Sequence, residues 1–146
     1  MAKPSIHDEL LRLAKRNDGV LTAEAVVEAA RPESSPLHTA FTWDNDEAAE
    51  KWRLHQARNL ILKINIETPV SNDQSITVRA WSSLTTDREE DGGGYRETIR
   101  VMRNGDQRRQ LLSDALAEME RFAEKYRALT ELAEVFEAIK RAKKSA

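Results

Sequence analysis

The side chains able to do chemistry are thinly spread over this sequence, and their spacing excludes more reactions than it supports. His7, His38 and His55 are the only histidines, and none forms the paired spacing that sets two metal ligands on one helical face. Cysteine is absent, which removes disulfides, thiolate metal sites and thiol nucleophiles together. Carboxylates are plentiful, but the acidic run of Asp87 with Glu89-Glu90-Asp91 sits beside glycines, whereas catalysis needs a carboxylate held in an enclosed site. That run reads as a solvated loop. Gly92-Gly93-Gly94 is followed by no Lys-Ser/Thr pair and no phosphate-binding helix start, so flexibility is its expected role. There is no Gly-x-Ser-x-Gly turn, and no serine can be matched to a histidine. The expectation is a non-enzymatic protein with no metal site and no cofactor. An enzyme would have to gather His38 or His55 with carboxylates in a cleft, a geometry that linear spacing does not reveal.

The basic side chains offer more. Lys51, His55 and Arg58 are spaced to share one exposed helical face, with Gln56 and Asn59 near its edge, and these side-chain types contact phosphates or base edges. Arg96, Arg100, Arg103, Arg108 and Arg109 form the densest basic stretch outside the C terminus, suited to phosphates or an acidic protein face; the plain alternative is a solvated strand edge. Lys140-Arg141 and Lys143-Lys144 fit helix-end cations favoured by the macrodipole, and so capping and solubility. The formal net charge of −2, from 23 basic and 25 acidic residues, supplies no global positive field, so any nucleic-acid contact must be local. Glu47 and Glu50 oppose tight binding at the first of these faces. Of the tryptophans, which anchor interfaces but more often fill cores, Trp52 is assigned to packing.

Helices and a hairpin must position these groups. Ser5 to Arg16 carries Ile6, Leu10, Leu13 and Ala14 at helical spacing, and Asn17-Asp18-Gly19 stops it. Thr22 caps a second short helix that ends at Arg31-Pro32. Ser35-Pro36 starts barely one turn, whose role is to insert Leu37 and Phe41 into the core. Asp44-Asn45-Asp46-Glu47 resembles a capping box opening a third helix through about Leu62. The period then alternates: Lys63 to Glu67 and Ile76 to Trp81 predict a hairpin about Ser71–Gln74, Thr85 to Gly94 a mobile loop, and Tyr95 to Met102 a third strand. Asn104-Gly105-Asp106 opens the longest helix, with Leu112, Leu116, Met119, Ala123 and Tyr126 recurring on a broad apolar stripe. After a break at Ala128-Leu129-Thr130, Leu132, Val135, Phe136 and Ile139 continue the spacing, as a helical hairpin or as one bent helix.

At 146 residues, 40% hydrophobic and 33% charged, the chain has enough apolar material for one cooperative core with an extensive charged surface. The expected organisation is a helical and hairpin module over 1–84, a loop over 85–94, and a strand with C-terminal helices over 95–146. The start of the chain lacks the apolar region of an export signal, and no apolar run approaches the roughly 20 residues that span a bilayer. A cytoplasmic, soluble protein without membrane contact is expected.

Ser35-Pro36-Leu37-His38 through Phe41, Trp43-Asp44, Ala48-Ala49 and Gln56-Ala57-Arg58-Asn59-Leu60-Ile61 resemble a pattern in uncharacterised small proteins of bacteriophages and prophages. Val78-Arg79-Ala80 and Gly94-Tyr95-Arg96 resemble it more loosely. The resemblance implies a phage accessory, DNA-associated or host-modulating role and carries no catalytic or ligand residue with it.

Together these readings predict a helix-rich α+β fold whose three N-terminal helices and hairpin form a winged-helix-like module, with 46–62 as recognition helix and 71–74 as wing. Lys51, His55 and Arg58 would face DNA while Arg79, Arg100 and Arg103 steady its backbone. The rival expectation is a protein-interaction module, such as an inhibitor of host machinery or an assembly component, using the arginine-rich surface or the C-terminal apolar face. That same apolar face would alternatively pack on the N-terminal module or join two copies as a homo-oligomer.

Overall fold

The computed structural model describes residues 4–43, 46–90 and 93–146. The helices start where short polar side chains satisfy free backbone donors. Ser5 Oγ accepts from the Asp8 N–H at 3.1 Å while the Asp8 carboxylate accepts from the Ser5 N–H at 3.0 Å, a reciprocal cap opening α1 (Ile6–Arg16). Those donors, the Ser5 backbone first, hold the Asp8 carboxyl below its ordinary range. Asp18 and Gly19, both at positive φ, turn the chain into β1 (Val20–Leu21). Thr22 Oγ1 then accepts from the Ala25 N–H to start α2 (Ala23–Ala30).

Between α2 and the next long helix runs a segment with a single 3₁₀ turn at His38–Ala40. Leu37 and Phe41 flank that turn and are buried, as their spacing predicts. Asp46 caps α3 (Glu47–Lys63) by accepting from the Ala49 N–H at 2.7 Å; Asp44 and Asn45 of the expected capping run lie outside the described residues.

Beyond α3 the alternating pattern becomes the antiparallel hairpin of β2 (Asn65–Ser71) and β3 (Gln74–Arg79), with Asn65 opposite Arg79 and an irregularity between Pro69 and Ser71. A second, three-stranded sheet is ordered β1, β5 (Tyr95–Glu97), β4 (Trp81–Ser82), all antiparallel. Ala80 couples the two sheets, because its N–H donates to the Ile64 carbonyl at 2.9 Å and its carbonyl accepts from the Thr98 N–H at 2.8 Å.

Two segments depart from the sequence expectation. Within 85–94, Thr85–Glu89 forms a short helix, α4, rather than a mobile loop. Asp87 is buried there and accepts from Arg96 Nη2 at 2.8 Å and Nε at 2.9 Å. A long-range ion pair therefore orders a stretch whose polarity had suggested solvent. Asp91 and Gly92 lie outside the described residues, but Gly94 is packed: a Cβ added there would stand 2.5 Å from Val20 Cγ1. The third strand stops after Glu97, and Thr98–Arg103 forms α5, which turns Val101 fully inward.

The chain divides into two compact units, Met1–Val101 and Met102–Ala146. In the first, α1, α2 and α3 pack around Leu10, Leu21, Val26, Val27, Ile61 and Trp81, all essentially inaccessible to water. Each such side chain contributes about 1.5–3 kcal/mol of burial free energy. In the second, Asn104 Oδ1 accepts from the Asp106 and Gln107 N–H groups to start α6 (Gly105–Lys125), and a 3₁₀ turn at Thr130–Leu132 leads into α7 (Ala133–Ser145). The two helices run antiparallel, with Glu120 ion-paired to Lys143 and Phe122 beside Phe136, so the C-terminal segment is a helical hairpin rather than one bent helix. Ile139 is the one buried side chain among the described residues of this unit. Among the described residues no helix is long and apolar enough to cross a membrane.

Candidate nucleic-acid interface

Helix α3 has two faces with opposite fates. Its inner face buries Arg53, Ala57 and Ile61, one turn apart. A buried arginine needs partners, and Arg53 has several: Nε and Nη2 donate to Glu50 Oε2 at 3.0 and 2.8 Å, and Nη1 donates to the Thr42 carbonyl at 3.1 Å. Its guanidinium also lies 5.4 Å from the centroid of the Trp43 ring.

Trp43 in turn stacks on His38, with ring centroids 5.0 Å apart, and its Nε1–H donates to the His38 carbonyl at 3.0 Å. His38 Nδ1 stands 2.9 Å from the Ala30 carbonyl, which can only accept, so the proton of that bond sits on Nδ1. Arg31 closes the ring of contacts by donating to Glu50 at 3.2 Å. With Arg53 first and Arg31 second, these donors hold the Glu50 carboxyl below its ordinary value of 4.5. The outcome is a lock that fixes the segment before α3 onto the helix.

The outer face is free of packing. Lys51, Trp52, His55, Arg58 and Asn59 are all exposed along two turns, about 12 Å of helix. Lys51 stands 3.9 Å from Glu47, a loose pair with both side chains largely in water. Asn59 Nδ2 lies 3.0 Å from His55 Nε2, and the rings of Trp52 and His55 are 5.2 Å apart. Trp52 corrects the sequence assignment: at 53% exposure it belongs to this surface and not to the core, whereas Trp81, at 1%, fills the core.

Of the predicted contact residues, Lys51, His55 and Arg58 therefore share one face, as their spacing requires. Arg79 is exposed at the base of the hairpin, opposite Asn65, which follows α3 by two residues. Arg100 has other neighbours, pairing with Glu97 at 3.2 Å and lying beside Gly19 in the turn before β1. Arg103 is exposed and falls in the second unit. Arg96, counted with the arginine group in sequence, is committed to Asp87.

Sequence reasoning missed the roles of Arg53, Glu50 and Trp52. The signal for two of them was available: Arg53 precedes Ala57 and Ile61 by one and two turns, which puts a cation on the apolar stripe, and Trp52 falls off that stripe. Among the described residues no group of three His, Asp or Glu side chains is placed to hold a metal ion.

These elements define a helix-rich α+β protein. Comparison of the chain with protein-family models, with curated proteins and with solved structures gave no match in any of the three.

Proposed function

We infer that this is a non-enzymatic nucleic-acid-binding protein that presents α3 to the groove of a duplex and the β2–β3 hairpin to the flanking backbone. The role is the accessory one implied by the phage-type sequence resemblance. The observation that carries it is the outer face of α3, where two cations, an imidazole, an amide and an indole are exposed together on a helix whose opposite face is locked down.

Several features support the reading. Apart from the 3₁₀ turn before α3, the order α1, β1, α2, α3, β2, β3 follows that of a winged-helix-like module, while the pairing departs from it, since β1 joins β5 and not the hairpin. A helix carrying this row of side chains fits a major groove about 12 Å wide, in which arginine reads guanine edges, asparagine reads adenine edges and lysine meets phosphates. The hairpin is a separate two-stranded sheet exposed along most of its length, and Arg79, exposed at its base, is the side chain assigned to backbone phosphates. The long segment between α2 and α3 differs from the three- or four-residue turn of a helix-turn-helix, and the lock on Trp43 does the positioning that a short turn does elsewhere.

The test is titration of mixed-sequence duplex DNA into the full chain over a salt series, followed by tryptophan emission with Trp52→Phe as the control and by anisotropy of labelled DNA. Binding should weaken linearly in log–log form with salt, and the Lys51→Glu/Arg58→Glu variant should bind at least about tenfold more weakly, with a salt slope smaller by about two. Its circular dichroism should match the parent, because both side chains are exposed. No binding at low salt, or an unchanged affinity in the variant, overturns the assignment.

A further inference from the structure

We propose that α6 pairs antiparallel with α6 of a second copy of this chain, turning the α6–α7 hairpin into half of a four-helix bundle. A pair of helices with one buried side chain between them lacks the core that holds such a unit together. What it has instead is an exposed seam. Leu112, Met119, Phe122 and Tyr126 are each 37–49% exposed, and with Ala115 they follow the alternating three- and four-residue spacing of a heptad. The α7 side of α6 is the neighbouring stripe, on which Glu120 and Ala123 meet Phe136 and Lys143; Phe122 stands at the border of the two, its ring 6.5 Å from that of Phe136 while 42% of the residue stays exposed.

The choice of a second copy rests on register and charge. The four exposed apolar side chains above form the apolar centre of a helix–helix patch. In an antiparallel pair the seam is its own complement: Met119 meets Phe122 of the second copy, Ala115 meets Tyr126, and both layers repeat by the two-fold axis. The charges flanking the seam complete the match. Glu118 and Lys125, both exposed, occupy the same flanking heptad position one heptad apart, so the antiparallel register sets Glu118 of each copy beside Lys125 of the other. A parallel pairing loses this, since it sets Glu118 and Lys125 beside positions on the opposite flank.

Sedimentation of the full chain as a function of concentration, with charge-swapped variants, tests the pairing. The parent should sediment as a dimer at micromolar concentration. Glu118→Lys alone and Lys125→Glu alone should each weaken the dimer about tenfold, because each places two like-charged pairs across the axis. Mixing the two single variants should restore a dimer, since every cross-axis pair is then opposite in charge, and the double variant should restore it without mixing. A parent that stays monomeric at all concentrations overturns the proposal; so does a dimer indifferent to both single swaps, which would assign the seam to another occupant or register. Met119→Asp should also give a monomer of unchanged helicity, and a dimer that survives it counts against α6 as the interface.

Discussion

Arg53 shows how one cation can serve as a structural part rather than as a contact to a partner. Its guanidinium joins Glu50, the Thr42 carbonyl and the Trp43 ring, so replacing it with methionine keeps the volume but strands the Thr42 acceptor. Arg53→Met should cost about 2–3 kcal/mol in urea unfolding, in the range for bonds to charged groups, and should shift Trp43 emission. The same lock makes the protein acid-sensitive. The folded Glu50 carboxyl titrates below 4.5, so its contribution to stability is complete above that value and is lost as pH falls through the lower folded one. Tryptophan emission should therefore change as the parent is acidified below pH 4.5, and Glu50→Gln should show a smaller acid response. Little of this was legible in the sequence. Trp43, Trp52 and Trp81 have the same side chain, and only their neighbours decide that one is stacked, one exposed and one buried; in addition, the partners of Arg53 come from two separate segments. The position of Lys51, His55 and Arg58 was legible, because a helical face depends on spacing alone.

Local capping and periodicity are written into the elements, and pairings between distant segments are not. The caps at Thr22 and Asp46 and the hairpin after Lys63 follow from residues within a few positions of each other, and they appear where the sequence puts them. In contrast, α4 and the shortness of β5 depend on Arg96 reaching Asp87 and on Thr98 donating to Ala80, contacts nine and eighteen residues long that no window of sequence reports. The glycine run is the clearest case. Read alone it suggests a flexible tether, yet Gly94 lets β5 approach Val20 and Leu21 with no room for a methyl group. Gly94→Ala should cost about 1–3 kcal/mol by thermal unfolding through that overpacking, whereas Gly93→Ala, which meets nothing within 4 Å, should lose only what its positive φ imposes. Equal losses at the two positions would mean that close packing is not what the run supplies.

At the scale of the molecule, charge is distributed rather than concentrated: with a net of −2, binding of the kind proposed has to act through a short row of side chains and should be more salt-sensitive than strong. The order in which the chain is synthesised adds a consequence of the β1–β5 pairing. Val20 and Leu21 must wait for Tyr95 and Arg96, about seventy-five residues later, before their ladder can close, and Trp81 waits for Glu97 in the same sheet. A nascent chain that has released α1, α2, α3 and the hairpin from the ribosome therefore still lacks the central strand of its own sheet. Closing so long a loop is slow and leaves two short strands with open edges in the meantime. A protein ending at residue 84 should accordingly be protease-sensitive and poorly dispersed by NMR although it contains the entire proposed binding face, and one ending after α5 should regain a closed sheet. The contact surface is thus encoded early in the chain and becomes rigid only when residues well downstream of it have emerged.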